Sequence, residues 1–173
     1  EGLQTKSRDN SKIDITCDII DIPVGNESFD HILCVEVLEH IPYPIKAIKE
    51  FNRILKNGGS LILTAPFNSL THYAPFYFYN GFSKYFYKEI LKNNGFEILE
   101  LEMNGNYFDY LSGELGRIPS CFKKYTNYGF LLTALYLLFI LPILLILKIA
   151  RKNSYKSSEL LTTGIHIKAI KKK

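Results

Sequence analysis

The sequence has no cysteine pattern that would indicate disulfide bonds or a zinc site. Its three cysteines, Cys17, Cys34 and Cys121, are an odd number at unrelated spacings and include no C-x-x-C pair. We therefore expect a reducing, cytoplasmic compartment, and we predict no metal site. No basic segment followed by a short apolar run opens the chain, so no secretory signal is predicted.

Acidic residues are almost missing from the last third of the chain. Residues 1–116 hold 10 Lys+Arg and 16 Asp+Glu, a net charge of −6, whereas residues 117–173 hold 11 Lys+Arg and only Glu159, a net charge of +10. A basic segment beside a strongly apolar one favours anionic lipid head groups as a partner, and we predict no nucleic-acid binding. The alternative is that these basic residues only keep an apolar tail soluble.

The segment Ser28 to Phe67 has the pattern of a strand, a crossover helix and a parallel strand. Apolar runs at 31–35 and 60–65 flank a stretch with helical periodicity that begins near Pro44. Ligand sites of such units lie at the carboxyl ends of the strands. The polar residues to examine there are Glu36, Glu39 and His40.

The remaining elements complete an α/β pattern. Strands are predicted at Ile13–Asp18, Phe96–Met103 and Ile165–Ile170, and a helix at Ser83–Asn93. Residues 104–128 are expected to be irregular, with at most a short helix. The crossover helix is expected to end at the turn residues Asn57, Gly58 and Gly59. Its charged residues Glu50 and Arg53 are expected to face solvent or to cap neighbouring groups.

Aromatic residues are concentrated between Asn68 and Tyr87. Because this segment follows the carboxyl end of a strand, it is interpreted as a lid or an acceptor pocket. The alternative is that the aromatic side chains fill the core, which is the interpretation adopted for the helix from Ser83 onward.

An apolar stretch, Phe130–Ile149, has one charge and one proline over twenty residues, a length that permits a membrane span. If the last strand pairs with Phe96–Met103, both ends of the stretch lie on one side of a membrane. We therefore predict a kinked or re-entrant monotopic element, broken at Pro142, at the inner face of the cell membrane. A helical hairpin folded on the soluble domain and a single span are the alternatives. The predicted domains are 1–127 with 160–173, and an inserted membrane-associating segment, 128–152.

Four ordered motifs together resemble one family. They are Asp18-x-x-x-Ile22-Pro23, Ser28-Phe29-Asp30, Glu36-Val37-Leu38-Glu39-His40-Ile41 and Arg53-x-Leu55-Lys56-x-Gly58-Gly59. This order resembles the class I S-adenosylmethionine-dependent methyltransferases of the methyltransferase type 11 group, over about residues 13 to 103. The resemblance implies a partial Rossmann-like sheet, with parallel strands and an antiparallel final strand, and S-adenosylmethionine as cofactor.

The resemblance also implies roles for single residues. Asp18 and Ile19 match the positions that contact adenine, and Cys34, Val35 and Glu36 match those beneath the methionine part. For Asp18, a simple turn-forming role is the alternative.

His40 and Glu36 are the candidate catalytic residues. His40 is the candidate base for a hydroxyl acceptor because its ordinary pKa lies near 6.5. Alternatively, His40 is a structural hydrogen-bonding residue, and Glu39 a helix-start residue.

Two departures from the family pattern shape the expected function. The glycine-rich loop and the acidic residue that holds ribose are missing, so the chain is expected to be a C-terminal fragment that binds the cofactor poorly alone. The segment His72–Phe78 is similar to one in methyltransferases of bacterial cell-surface polysaccharide loci, with Tyr73 and Tyr77 in place of acidic residues. We expect methylation of a cell-surface glycan or lipid-linked precursor; the alternative is a non-catalytic relative that anchors to a membrane or a partner.

Overall fold

The structure is a computed structural model that describes residues 12–173, and its centre is a four-stranded mixed sheet. The strands are β1 (Phe29–Val35), β2 (Leu55–Pro66), β3 (Phe96–Asn104) and β4 (Gly164–Lys171). Their order in the sheet is β1-β2-β4-β3, with β1 parallel to β2 and β4 antiparallel to β2. The predicted α/β class, with an antiparallel final strand, is confirmed.

Four α-helices accompany this sheet in the described part of the chain. They are α1 (Pro44–Ile54), α2 (Lys84–Asn93), α3 (Tyr107–Tyr125) and α4 (Gly129–Ala150). The chain divides into two compact units: one runs up to Glu102 and includes Gly164–Lys173, and the other is Met103–Thr163. In the sequence, the second unit is an insertion between β3 and β4.

The core of the first unit lies on one face of the sheet. Side chains of β2 and β4 alternate between buried and half-buried positions, as expected for strands that pack one face against helices. The fully buried residues on these two strands are Leu55, Leu61, Leu63, Ala65, Ile165, Ile167 and Ala169. Helices α1 and α2 add Ala47, Ile48, Tyr87 and Leu91 to the same core.

The predicted strand at Ile13–Asp18 is wrong. Residues 12–18 have no regular secondary structure, and within residues 12–173 no strand pairs with them. Alternation of apolar and polar residues indicates a strand only where a neighbouring strand supplies hydrogen bonds. Without that ladder, Ile13 and Ile15 are exposed.

Helix α1 begins at Pro44 as predicted but ends three residues earlier than expected, at Ile54. Strand β2 begins directly at Leu55, which pairs with Phe29, and the next recorded pair is His31 with Ser60. The intervening glycine segment is therefore a bulge within the strand and not a helix end. Gly58 has a φ of 78°, which a residue with a side chain rarely adopts.

The prediction that residues 104–128 are irregular is also wrong, since α3 is a helix of 19 residues. Asn106 caps its first turn and forms a reciprocal capping box with Asp109. Pro119 has no N–H for the carbonyl of Leu115, four residues earlier. The Tyr136 hydroxyl of α4 donates to that carbonyl at 2.7 Å. Packing against α4 thus compensates for a residue that the sequence pattern counts as a helix breaker.

Helix α4 is continuous through Pro142, so the predicted break at this residue is wrong. Loss of a single backbone hydrogen bond does not interrupt a helix of 22 residues. Its chain enters from α3 by a tight turn: a Cβ on Gly129 would lie 2.5 Å from the carbonyl oxygen of Phe122. Helix α4 is long and apolar enough to cross a membrane, and only 17% of its most apolar 18-residue segment is buried.

The polar face of α1 fixes the loop that precedes β1. The Arg53 guanidinium donates to the carbonyls of Ile22 and Val24, both at 2.8 Å, and to both oxygens of Glu50. Glu50 also accepts the Ile22 amide at 2.8 Å and is only 8% exposed. These two residues therefore join helix and loop, which is the capping role given as one of the two expectations, and Glu50 does not face solvent. Their hydrogen bonds hold the pKa of Glu50 below its ordinary value.

We predict that Arg53→Ala destabilises the chain, because it removes the cationic partner of the buried Glu50 carboxylate and the donors to two loop carbonyls. The melting temperature at pH 7 should fall by about 5 °C or more in differential scanning calorimetry. Folding lowers the pKa of Glu50, so the contribution of this carboxylate to the free energy of unfolding is complete above the pKa of unfolded Glu50, near 4.5. The contribution is lost as the pH falls through the lower pKa of folded Glu50. The control Lys56→Ala removes an exposed pair with Asp30 and should change little; equal effects of the two variants would contradict the prediction.

Candidate functional site

The carboxyl ends of β1 and β2 meet where the predicted site residues lie. The Glu36 amide donates to the Thr64 carbonyl at 3.0 Å, so the parallel ladder continues one residue beyond β1. Thr64 also donates its hydroxyl to the Glu36 carboxylate at 3.0 Å. Glu36 has a φ of 51°, a left-handed conformation that is costly for a residue with a side chain. The chain therefore turns sharply out of the sheet at this residue.

A short 3-10 helix, Leu38–His40, follows this turn and holds the aromatic segment. The carbonyl of Glu39 accepts the amides of Phe78 and Tyr79 at 3.0 and 3.2 Å. The His40 ring nitrogen Nδ1 donates to the Phe76 carbonyl at 2.5 Å. The segment predicted as a lid is thus fixed against the residues that follow β1.

A cleft of about 670 Å³ lies between these elements, a size typical of small-molecule sites. Five of the six predicted site residues line it: Asp18, Ile19, Val35, Glu36 and His40. The rest of its lining is Cys17, Val37, Ile41, His72, Tyr73 and Phe76. The structure therefore brings together two segments, around Asp18 and Glu36, that are separated in the sequence.

Asp18 begins a turn. Its Oδ1 accepts the Ile20 amide at 3.1 Å, and its carbonyl accepts the Asp21 amide at 3.1 Å. This is the turn-forming geometry considered as an alternative. The turn also places Ile19 in the cleft lining beside the exposed Asp18 carboxylate. An acceptor and an apolar contact are thus available together, as recognition of a purine requires.

Cys34 is the predicted site residue that does not line the cleft. Its side chain is 4% exposed and points into the core, because successive residues of a strand face opposite sides. Burial, together with the negative charges of Glu39 and Glu36, raises the pKa of its thiol to about 12. Any contact of this position with a ligand would be made by its backbone.

Glu39 lies in the first turn of the 3-10 helix, as expected for a helix-start residue, but its side chain is fully buried. Among the described residues, neither of its carboxylate oxygens has a hydrogen-bond partner. Burial raises the pKa of this carboxyl group above its ordinary value. The His40 ring lies beside it, with Nε2 3.6 Å from Oε1. A buried carboxylate without a hydrogen bond is costly and marks this position as functionally interesting.

Sequence reasoning assigned no site role to His72, Phe76 or Cys17. The ring of His72 packs edge-on against the His40 ring, with centroids 4.8 Å apart. The density of aromatic residues indicated that this segment contributes to a pocket, but no spacing signal links residue 72 to residue 40. Tyr73 has a φ of 57°, so two of the three described non-glycine residues with positive φ line the cleft.

Comparison with known proteins identifies what this part of the chain resembles. Residues 2–63 match the family model described as a methyltransferase domain. This segment, about a third of the chain, is therefore similar to the methyltransferase domain family. The match contains Asp18, Glu36 and His40, and it ends within β2.

Curated relatives match shorter segments. An uncharacterized protein of Methanocaldococcus jannaschii is 47% identical over 49 residues, which are 28% of this chain and 21% of that protein. A ubiquinone biosynthesis O-methyltransferase of Xanthomonas oryzae pv. oryzae is 49% identical over 37 residues, 21% of this chain and 16% of that enzyme. The matched segments therefore span about a fifth of these relatives or less.

Solved structures show the same fold across more of the chain. A candidate sarcosine dimethylglycine methyltransferase from Galdieria sulphuraria aligns with a TM-score of 0.52 and 15% identity, over 90% of this chain and 57% of that one. The 4+2 cyclase SpnF aligns with a TM-score of 0.51 and 19% identity, over 90% and 54%. At these identities the similarity concerns the fold alone.

The burial of the three cysteines predicts their reactivity. Cys17 and Cys121 are exposed, whereas the Cys34 thiol is buried and its pKa is raised to about 12. At pH 8, N-ethylmaleimide should modify Cys17 and Cys121 within minutes, and Cys34 at least about a thousandfold more slowly. Peptide mass spectrometry of a time course measures the three rates separately. Denaturant should abolish the difference; fast modification of native Cys34 would contradict the placement of this side chain.

Proposed function

We propose that this chain contributes to transfer of a methyl group from S-adenosylmethionine to the oxygen of an acceptor bound in the cleft. The observation that carries the proposal is the meeting of Asp18 and Ile19 with Val35 and Glu36 in one cleft at the carboxyl ends of the strands. In the methyltransferase resemblance these are the positions that contact adenine and the methionine part. The family match over residues 2–63 supports the same cofactor.

The chemistry requires alignment more than covalent assistance. The acceptor oxygen attacks the methyl carbon in line with the sulfonium, an O–CH₃ bond forms, and S-adenosylhomocysteine leaves as the S–CH₃ bond breaks. The acceptor hydroxyl must also lose its proton. His40 and Glu36 border the space where this would occur. Because His40 Nδ1 donates to the Phe76 carbonyl, its Nε2 carries the free lone pair in the neutral ring.

The acceptor end of the cleft is aromatic. Tyr73 and Phe76 line it, and Tyr79 donates its hydroxyl to the Pro42 carbonyl at 3.1 Å, which fixes the segment. Aromatic faces with few charges suit a sugar ring or an apolar chain better than a highly charged acceptor. This supports a glycan or lipid-linked acceptor as the substrate class.

Binding of the cofactor is the first test. In the protein as its organism produces it, S-adenosylhomocysteine should bind by isothermal titration calorimetry. Asp18→Ala should weaken binding about tenfold to a hundredfold, because a charged hydrogen bond to the adenine amino group is lost. Bound cofactor should also protect Cys17 from N-ethylmaleimide while Cys121 reacts as before.

Asp14→Ala is the matched control, since Asp14 is exposed and does not line the cleft. Absence of binding by the wild-type protein, or equal affinity of the Asp18 and Asp14 variants, would overturn the proposed cofactor site. Binding of the cofactor without methyl transfer to any glycan or lipid acceptor would favour a non-catalytic relative.

We further propose that the hairpin of α3 and α4 binds a membrane surface. Large apolar side chains are exposed along α4 outside the side that packs against α3, among them Phe130 at 84%, Leu138 at 71% and Phe139 at 71%. An apolar surface of this size is costly in water and is typical of a membrane or protein contact. Basic residues flank it: Lys123 and Lys124 before, and Arg151 and Lys152 after. Their charge favours anionic lipid over an apolar protein partner.

The geometry favours a monotopic placement. Strands β3 and β4 are neighbours in one sheet, so the segment between them leaves and returns to the same sheet. Helix α3, which precedes α4, contains Asp109, Glu114 and Arg117 and is too polar to form a second crossing. The membrane-facing helix would therefore lie in the interface of the cytoplasmic leaflet.

Vesicle co-sedimentation tests this placement. The full chain should bind vesicles that contain phosphatidylglycerol more tightly than neutral ones. Replacing Leu138, Phe139, Leu145 and Ile146 with serine should reduce binding at least about tenfold, because apolar burial drives insertion. Replacing two other exposed apolar residues, Tyr43 and Leu70, serves as the control. Unchanged binding of the α4 variant, with its helix content retained by circular dichroism, would contradict the proposal.

A further inference from the structure

We propose that Glu39, His40 and His72 form a binding site for a divalent transition-metal ion at the edge of the cleft. Their potential ligand atoms all lie within 4.8 Å of one another. Two imidazoles and one carboxylate are a ligand set typical of zinc enzymes and of other transition-metal sites that keep a coordination position open. The inference rests on the proposed function, because His40 and His72 also line the proposed cofactor and acceptor cleft. It changes one role there: with Nε2 bound to the ion, His40 could not also take the acceptor proton, and the ion would activate the hydroxyl instead.

The first supporting observation is the state of Glu39. Its side chain is fully buried, and in the part of the chain that the structure describes neither carboxylate oxygen accepts a hydrogen bond. Desolvation of an ionised carboxylate without a partner is strongly unfavourable. A bound cation would supply the missing partner. The adjacent buried hydroxyl of Tyr87 likewise has no hydrogen bond within residues 12–173.

The second observation is the orientation of the two histidines. His40 Nδ1 donates to the Phe76 carbonyl at 2.5 Å, and His72 Nδ1 donates to the Leu70 carbonyl at 2.9 Å. A carbonyl accepts only, so both Nδ1 atoms carry the proton, and both Nε2 atoms carry a lone pair in the neutral rings. Metal-bound histidines use this arrangement: one nitrogen coordinates, and the other donates to a backbone carbonyl or carboxylate.

The distances fit after a small adjustment. Ligand atoms of a tetrahedral zinc site lie roughly 3.3–3.5 Å apart. His40 Nε2 and Glu39 Oε1 are already 3.6 Å apart. His72 lies on an exposed loop, so its ring can turn to bring Nε2 to the ion. Glu39 is anchored by the 3-10 helix and would remain in place.

The ligand types also select the metal. Two imidazole nitrogens favour Zn²⁺ and related transition metals over Mg²⁺ and Ca²⁺, which prefer oxygen ligands. With three protein ligands, a coordination position remains for the oxygen of water or of an acceptor. A metal there would lower the pKa of a bound hydroxyl, which is the group that must lose its proton in O-methylation.

The test is metal binding by the full chain after removal of metal with a chelator. Zn²⁺ titrated against a chromophoric competitor should bind with one equivalent per chain, and Mg²⁺ at millimolar concentration should not displace it. Co²⁺ should give visible d–d bands without the thiolate charge-transfer band that coordination by Cys17 or Cys121 would produce. His72→Ala should weaken Zn²⁺ binding at least about a hundredfold, since loss of a ligand costs more than loss of an outer hydrogen bond.

His31→Ala is the matched control. His31 is an exposed histidine on β1 that hydrogen-bonds Ser60 of β2, and it does not line the cleft. Glu39→Gln should also lose Zn²⁺ binding while keeping the fold, because an amide fills the same space without a charge. Absence of a stoichiometric Zn²⁺ site in the wild-type chain, or equal affinity of the His72 and His31 variants, would overturn the metal site. Neither result depends on S-adenosylmethionine, so failure of the metal site and failure of the cofactor site are distinguishable.

Discussion

The parallel pairing of β1 with β2 is the constraint on which the cleft depends. The ladder continues through the Glu36 amide to the Thr64 carbonyl, and the chain then leaves the sheet within one residue. A left-handed φ at Glu36 makes this sharp turn possible, at an energetic cost that the flanking hydrogen bonds offset. As a result Glu39 enters the core and His40 faces the cleft, although the two residues are adjacent in sequence.

The short helix after this turn joins two parts of the site that the sequence keeps far apart. The backbone carbonyl of Glu39 accepts hydrogen bonds from the amides of Phe78 and Tyr79. The ring nitrogen Nδ1 of His40 donates a hydrogen bond to the Phe76 carbonyl. These bonds bring the loop that carries His72 over the carboxylate of Glu39. The aromatic segment is therefore part of the same structural unit as the strand ends, and a ligand bound there would contact both.

How much of this the sequence predicts depends on whether the signal is local. The strands β1 and β2, helices α1 and α2 and the final strand have clear apolar periodicity or capping residues, and each was predicted. Asp18, Ile19, Val35 and Glu36 were found because they follow strand ends, where ligand sites form in α/β sheets. The burial of Glu39 and its proximity to His72 were not predicted, because they arise from contacts across 33 residues that no periodicity reports.

The errors have the same origin. Residues 13–18 alternate like a strand, but a strand exists only where a neighbour supplies hydrogen bonds. Helix α3 contains glycines and a proline that predict a loop, but the hydroxyl of Tyr136 reaches the carbonyl that Pro119 leaves without its helical donor. In each case a distant partner outweighs the local preference.

The two helix prolines leave carbonyl groups without a helical donor in different surroundings. The carbonyl that Pro119 deprives of its donor lies against α4 and accepts a hydrogen bond from Tyr136. Pro142 has no N–H, so the carbonyl of Leu138, near the middle of α4, lacks its helical donor. The Leu138 side chain is 71% exposed. Proline is nevertheless common in membrane-spanning helices, where a side chain, a neighbouring helix or a local change of helical geometry satisfies the freed carbonyl. In the interface, water and lipid head groups can reach it. The proline therefore does not separate a span from an interfacial placement, and the proposed interfacial placement depends on the order of the strands and on the charged residues of α3.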